Sequence, residues 1–437
     1  MEAQPFAFGT QLTDRRKWEA YLAALKTNFT KLARLDFLQG DDTVAFSVGS
    51  QSSKMSTRPP YGGAALRSAA FLQEGTLNVS LQNGQRRRGS VKFSNLDACF
   101  NYNVNNIWFG QRVRLMMGLV LPNGTEYYLP QGVFYIANPQ DVFMPGERTA
   151  TFELLDKWAY LDGTLFGNLD GIYQVALNEN IFTAISSVLA FDRGNGEAVD
   201  GTAPLFTERY NGKTVTLPDG RVLPVTNTPY TYRCESESGT LSDVVIELNK
   251  MLAGWIGYDA TGRLRLEASD EDILDTDKPV LWSFTPEESE FLGASYKLKN
   301  TEVYNDIIIS GESLGNSPIA KGRAVNDDPS SDTNIRGRLG RRVKRMSAPG
   351  YYADAQCKEL AEWYLKRFTV LKKSVTISST QMFHLNENNI VTIRRTDKPG
   401  RPTERHLLTG FSLPIGQSGA MTLEATSVQD FPVATIS

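Results

Sequence analysis

The residue types that most often carry catalysis or bind metal ions are few and widely separated in this chain. It has two histidines, His384 and His406, and three cysteines, Cys99, Cys234 and Cys357. Neither histidine stands at helical or hairpin spacing from a cysteine or from the other histidine, so zinc and thiol–imidazole sites lack their ligands. We predict structural or surface roles for the histidines, and reduced thiols in a protein made in a cytosol.

Two acidic runs invite a calcium or a glycosidase interpretation. The run at residues 270–277 lacks the central glycine and the closing glutamate that a calcium loop requires. The glutamates at 287–290 are too close in sequence to indicate two carboxylates facing each other across a substrate bond. The phosphate-binding pattern GxxxxGK[ST] is absent from the sequence. We therefore predict no enzyme, no metal site and no cofactor.

Two clusters of basic residues remain as candidate interaction sites. They are Arg86, Arg87 and Arg88, followed much later by Arg336, Arg338, Arg341, Arg342, Lys344 and Arg345. Neither cluster is interleaved with the aromatic residues on which single-stranded nucleic acid stacks. Three interpretations stay open: pairing with an acidic surface on another subunit, a plain solvated loop, and contact with DNA phosphate. We take both clusters as a candidate subunit interface.

Length and charge narrow the class of protein. A chain of 437 residues is too long for one hydrophobic core and favours two to four domains. Lys and Arg (46) nearly balance Asp and Glu (49), so no overall field draws the chain to nucleic acid or to an anionic membrane. The N-terminus lacks the apolar core of a secretory signal, and no window has the apolar length of a membrane span.

Hydrophobic periodicity divides the chain into strand-rich and mixed regions. The stretch from residue 76 to residue 160 shows short alternating strands joined by Gly, Pro and Asn turns, with Asn83-Gly84 as the strongest hairpin signal. We predict an N-terminal helical segment (1–30), a first barrel (31–165), a mixed α+β region (166–277), and a second barrel (278–437) with a long basic loop (311–350) and a helix (353–368). The predicted fold is thus mainly β, with two small antiparallel β-barrels flanking a mixed α+β insert.

One stretch of the first barrel resembles a known family. The segments NNIWFGQRVRL (105–115) and YLPQGVFYI (128–136) are similar to the first barrel of bacteriophage tail hub proteins, such as the baseplate hub of contractile-tailed phages. The resemblance extends in order over most of the chain, although nothing between 192 and 221 is similar. In that family, two tail-tube-like barrels per subunit and three subunits around the tail axis make a ring of six alike units.

The resemblance implies a structural hub at a phage tail tip or baseplate. Such a hub is a homotrimer of pseudo-sixfold symmetry that joins the tail tube or distal tail protein to a central spike, fibre or tape-measure protein and continues the DNA channel. It is made in the host bacterial cytoplasm and resides in the virion. The alternative is a tail-associated cell-wall hydrolase or carbohydrate-binding adaptor, which requires an open cleft with paired carboxylates or with stacking aromatics such as Trp255 and Trp282.

Overall fold

The computed structural model describes residues 15–40, 42–57, 71–96, 98–101, 110–208, 210–217, 220–235, 239–252, 254–268, 279–298, 300–348, 350–369, 373–416 and 419–428. The acidic run at 270–277 and residues 105–109 of the first motif lie outside these ranges. Strands account for 44% and helices for 14%, which confirms the mainly β class.

The first region consists of one helix followed by a series of strands. The elements are α1 (Arg15–Leu25), β1 (Lys31–Leu38), β2 (Val44–Gly49), β3 (Leu72–Ser80), β4 (Arg87–Ser94), β5 (Arg112–Val120), β6 (Glu126–Met144) and β7 (Glu147–Asp156). A short 3-10 turn, Lys157–Tyr160, leads out of β7. Strands β3 and β4 pair as the predicted hairpin, but residues 81–86 connect them as a longer loop: Gly84 has a φ of 98° that favours glycine, whereas Asn83 does not have the positive φ that a tight two-residue turn requires.

The middle region is mixed α+β, as its sequence indicates. Its elements are β8 (Tyr173–Val175), α2 (Ile181–Leu189), β9 (Leu205–Phe206), β10 (Thr214–Thr216), β11 (Val222–Pro224), β12 (Tyr232–Cys234), α3 (Leu241–Leu252), β13 (Gly254–Tyr258) and β14 (Leu264–Ala268). The two helices bury their apolar faces in one core with β13 and β14. Asn180 caps α2 by accepting hydrogen bonds from the backbone N–H groups of Phe182 and Thr183.

The last region returns to strands and carries a small subdomain. Its elements are β15 (Val280–Phe284), β16 (Phe291–Leu298), β17 (Asp306–Ser310), β18 (Lys321–Val325), β19 (Val343–Ser347), α4 (Asp354–Phe368), β20 (Lys373–Ser379), β21 (Ile390–Arg394), β22 (Thr403–Ile415) and β23 (Met421–Val428). Strands β17, β18 and β19 form a separate three-stranded sheet in the order β18-β17-β19, and α4 packs on it.

The prediction of a continuous loop over 311–350 is wrong, because this segment contains the strands β18 and β19. The inward positions of β18 are Gly322 and Ala324, which lack the large apolar side chains that mark a strand in a sequence. Small residues are needed there because α4 lies directly against the strand: a Cβ at Gly322 would come within 2.1 Å of the Cys357 backbone carbon. A strand built on glycine and alanine therefore has the sequence pattern of a polar loop.

One large sheet unites the first and last regions. It has 13 strands, with a main path β16-β20-β23-β22-β3-β4-β7-β6-β5-β1-β2, while β21 pairs with β22 and β15 pairs with β21. Helix α1 and both parts of this sheet bury their side chains in a single core. The pairings of the described strands form an open path, so the two closed barrels remain a prediction.

The two halves of the large sheet have the same strand order. The first half runs β3-β4-β7-β6-β5-β1, and the second half runs β16-β20-β23-β22-β21-β15. Read along the chain, each half uses its strands in the same succession, with β2 added in the first and β17 to β19 inserted in the second. The corresponding pairs are antiparallel, except that β15 and β21 are parallel where β1 and β5 are antiparallel. The sequence shows no repeat, yet the topology is duplicated.

Candidate assembly interface

The two halves meet at an internal seam, which we define as the pairing of β3 with the end of β22. Residues Gly410–Ile415 of β22 lie antiparallel to residues Gly75–Ser80 of β3, with Leu413 opposite Leu77. Both leucines are fully buried in the shared core. The seam therefore continues the backbone ladder from one half to the other and buries apolar side chains across it.

The first basic cluster lies inside the chain beside this seam. Arg87 is 1% exposed and donates to the Gln131 carbonyl (2.8 Å), to Asn386 Oδ1 (2.9 Å) and to Glu387 Oε2 (2.5 Å). Its partners come from both halves, since Gln131 is on β6 and Asn386 and Glu387 precede β21. A buried guanidinium that reaches three acceptors in this way fixes the relative position of the two halves.

Arg86 extends the same contact to the middle region. Its side chain is 3% exposed, donates from Nε to the Gln82 carbonyl (3.0 Å), and places Nη1 3.9 Å from Glu387 Oε1 and 4.0 Å from Glu267 Oε2. It passes so close to β13 that a Cβ at Gly257 would lie 2.5 Å from its Nε. Arg86 and Arg87 thus join three parts of one subunit, which corrects the prediction that the whole cluster faces another subunit.

A buried carboxylate holds the backbone of this cluster. Asp156 accepts hydrogen bonds from the N–H groups of Arg86 and Arg87, both at 2.9 Å, and from that of Trp158 at 3.1 Å. Burial raises the pKa of Asp156 to about 7, and these backbone donors offset part of that rise. The carboxyl therefore organises the start of β4 rather than a surface.

A cavity of about 300 Å³ lies beside these side chains. Its charged lining comprises Arg86, Arg87, Asp259, Arg265, Glu267 and Glu387. Every arginine in it lies within 4.0 Å of a carboxylate oxygen. Glu267 and Glu387 both lie within 4.0 Å of Arg86 Nη1, so these two carboxylates of the cavity share one guanidinium group.

Arg88 is the exposed member of the first cluster. Its side chain is 64% exposed and pairs with Glu153 on the neighbouring strand β7. A hydrogen bond from Asn138, together with the Arg88 guanidinium, keeps the pKa of Glu153 below its usual range, against the effect of partial burial. Arg88 remains a candidate contact for another subunit, as predicted.

The second basic cluster surrounds the open face of the three-stranded sheet. The fully buried Asp306 accepts from Nε of Arg323 (2.9 Å) and from Nε of Arg341 (2.5 Å), and both arginines are half exposed. Burial alone raises the pKa of Asp306, but the two guanidinium groups outweigh it and hold the pKa below its usual range. One acidic side chain thus anchors two cations at the surface.

The other members of this cluster are spread over the same subdomain. Arg336, Arg338 and Arg345 are exposed, and the Lys344 ammonium lies 4.0 Å from the Phe368 ring centroid. The Arg342 side chain donates to the Thr301 carbonyl at 3.0 Å. The structure therefore brings the second cluster together on one subdomain, apart from Arg86 and Arg87.

Both histidines lie in the interior. Helix α1 packs on the last region through Tyr21, whose hydroxyl accepts from the Phe383 N–H (3.1 Å) and lies 3.1 Å from His384 Nδ1. Because the Phe383 N–H already donates to that oxygen, the Tyr21 hydroxyl is free to donate to His384 Nδ1. Burial lowers the pKa of His384 to about 3, so the ring is neutral.

Neither a metal-binding cluster nor a membrane-spanning helix is found in the described ranges. No group of three or more metal-binding side chains occurs among those residues, and no helix among them has the length and apolarity to cross a membrane. Trp282, offered as a sugar-stacking residue, is fully buried in the shared core. This burial removes one feature on which the hydrolase or adaptor alternative depends.

Sequence reasoning missed the acidic partners that hold the arginines. Glu387 gave no signal, because its role depends on a partner 300 residues earlier in the chain. Asp306 offered a weak one: an acidic residue at the start of the apolar strand DIIIS, a short distance before an arginine-rich segment.

The fold and the seam define a class of mainly β proteins in which one chain contains the same sheet twice. Solved structures of tail proteins are similar to this chain in overall fold. The chain is similar to the tail protein from Neisseria meningitidis, with a TM-score of 0.53 and 9% identity over 92% of this chain and 97% of that one. It is also similar to the 43 kDa tail protein of prophage MuSo2 from Shewanella oneidensis, with a TM-score of 0.50 and 11% identity over 91% and 98% of the two chains.

The chain therefore has the fold of phage tail proteins, which confirms the predicted resemblance at the level of the fold. No protein-family model matches the chain, and no curated protein matches its sequence.

Proposed function

We propose that this chain is a structural hub of a phage tail tip or baseplate. Three copies form a ring of pseudo-sixfold symmetry, in which each copy contributes two alike β modules. The ring joins the tail tube or distal tail protein to a central spike, fibre or tape-measure protein, and its bore continues the DNA channel. The protein has no catalytic role in this proposal and resides in the virion.

The single observation that carries the proposal is the duplicated strand order within one chain. A threefold ring offers six equivalent positions only if each subunit presents the same element twice. The first half and the second half of the large sheet supply such elements, and the internal seam fixes them side by side. The likeness to tail proteins in fold supports the same role.

The proposed domain plan follows from these halves. The first module extends over 31–165, the mixed region over 166–277 and the second module over 278–437, with the helical segment 1–30 in front. Arg88 and the second basic cluster are proposed subunit contacts. Their exposure and their location outside the internal seam support this assignment.

The proposal is tested by the mass and the shape of the purified full chain. Light scattering over a range of protein concentrations is expected to give a species of three chain masses, and averaged electron-microscope images are expected to show a ring with six peripheral densities. A strictly monomeric chain at every concentration contradicts the proposal. So does cleavage of purified bacterial cell wall by the chain alone.

A further inference from the structure

The two strand edges that meet at the internal seam each have an equivalent elsewhere in the sheet that has no such partner among the described strands. At the seam, the part of β22 beyond its bulge pairs with β3. In the first half, β6 holds the place that β22 holds in the second. In the second half, β16 holds the place that β3 holds in the first. Strand β5 covers β6 only over Glu126–Tyr135, so among the described strands residues 140–144 of β6 have a partner only in β7. Strand β16 has a partner only in β20 among the described strands.

The ladders give the equivalent residues on β3 and β16. In both strands the first residue, Leu72 or Phe291, is followed by a bulge in the pairing with the next strand. We align β3 with β16 by placing Leu72 at the position of Phe291, and the same difference in residue number then applies along both strands. Asn78 of the internal seam therefore corresponds to Lys297, and Gly75 corresponds to Ala294.

The same procedure aligns β6 with β22. Following the pairings through β4 and β20, Thr151 of β7 occupies the position of Thr422 on β23. Thr151 pairs with Gln140, and Thr422 pairs with Ser412. Gln140 therefore corresponds to Ser412, which lies opposite Asn78 at the internal seam.

Exposure separates the closed seam from the open edges. Residues Leu77, Leu413 and Ile415 of the internal seam are buried. On the open strands, Phe143 is 74% exposed, Met144 is 58% exposed and Leu292 is 57% exposed. Three large apolar side chains on two unpaired edges are the pattern of a contact that is completed by another chain.

We propose that residues 140–144 of β6 in one copy pair antiparallel with β16 of a second copy, with Gln140 opposite Lys297 and Phe143 opposite Ala294. This inference rests on the proposed ring and names the contact that closes it. Every seam then has the same geometry, and internal seams alternate with seams between copies. Asp141 stands where the internal seam has Leu413, so the seam between copies is the more polar one, as suits subunits that fold before they assemble.

The register is tested by paired cysteines in the full-length chain, whose native cysteines are all buried. Gln140→Cys with Lys297→Cys is expected to give disulfide-linked oligomers under mild oxidation, because directly opposite residues meet the distance requirement of a disulfide. The matched control is Gln140→Cys with Ser295→Cys, two residues out of register, which is expected to link far less. A second control, Asn78→Cys with Ser412→Cys, is expected to link within one chain and to leave the mass unchanged.

The contribution of Phe143 to the strength of association between copies is tested with Phe143→Asp. Phe143 becomes buried only in the proposed seam, so its replacement by aspartate is expected to weaken trimer association by about tenfold or more for each seam. The matched control is Ile172→Asp, which changes a side chain of 58% exposure in the middle region and is expected to leave association unchanged.

The outcomes separate this inference from the proposed function. A trimer that tolerates Phe143→Asp, or one in which the out-of-register pair links as well as the in-register pair, overturns the seam and leaves the ring standing. A wild-type chain that never associates, together with a Gln140→Cys, Lys297→Cys variant that never cross-links, overturns both.

Discussion

Substitution of Arg87 by methionine is expected to destabilise the chain severely, because it removes a buried cation and leaves its acidic partner. Arg87 donates to Glu387 at 2.5 Å, and both side chains are at most 5% exposed. Breaking a buried ion pair by removing one partner costs about 3–5 kcal/mol. The second guanidinium near Glu387, that of Arg86 at 3.9 Å, reduces the cost toward the lower figure.

The assay is equilibrium unfolding in urea at fixed protein concentration, followed by circular dichroism and by tryptophan fluorescence. The matched control is Arg88→Met on the same strand, which removes an exposed ion pair with Glu153. Exposed pairs contribute about 0–1 kcal/mol, so this control is expected to change little. The double variant Arg87→Met, Glu387→Leu removes both charges and is expected to recover about 2 kcal/mol relative to Arg87→Met alone.

Two results refute this reasoning. Equal destabilisation of the chain by Arg87→Met and Arg88→Met shows that burial does not set the cost. A double variant no more stable than the single variant shows that Glu387 is not left as an uncompensated charge.

Three further predictions follow from the interior of the chain. Asp306→Asn is expected to lower the free energy of unfolding at neutral pH by about 1–3 kcal/mol, because two guanidinium groups lose a charged acceptor; urea unfolding measures it, and no change contradicts the anchoring role. Since His384 has its pKa lowered to about 3, its contribution to stability is complete above about pH 6.5 and declines as the pH falls toward 3, so His384→Gln is expected to flatten the unfolding free energy over that window. Gly322→Val is expected to lower the melting temperature by several degrees, because the new side chain meets the Cys357 backbone; an unchanged melting temperature shows that the helix has room to shift.

Local patterns made the first region and the middle region predictable. Alternation of apolar and polar residues marks β3 and β5, and the Asn83-Gly84 pair marks the loop between β3 and β4, in which only Gly84 has positive φ. The helical spacing of Trp18 and Tyr21, which lie buried on α1, was likewise visible in the sequence. Such signals extend over a few residues, so a single sequence contains them.

What the sequence could not supply is long-range pairing. The arginines at 86 and 87 look like surface cations until Glu387 and Asp156 are placed beside them. Strand β18 escaped notice because its buried positions are glycine and alanine. The sequence predicted two strand-rich regions, but their identical strand order is not visible in it, since the two halves share their order of pairing and not their residues.

The internal seam also constrains how the chain folds during synthesis. Strand β3 must wait for residues Gly410–Ile415 before its second edge has a neighbour, and these are more than 300 positions later. At a synthesis rate of about 5–20 residues per second, the nascent chain carries a bare strand edge for roughly 15 s to a minute. We expect truncated chains that stop before β22 to aggregate, and ribosome-associated chaperones to matter most in that interval.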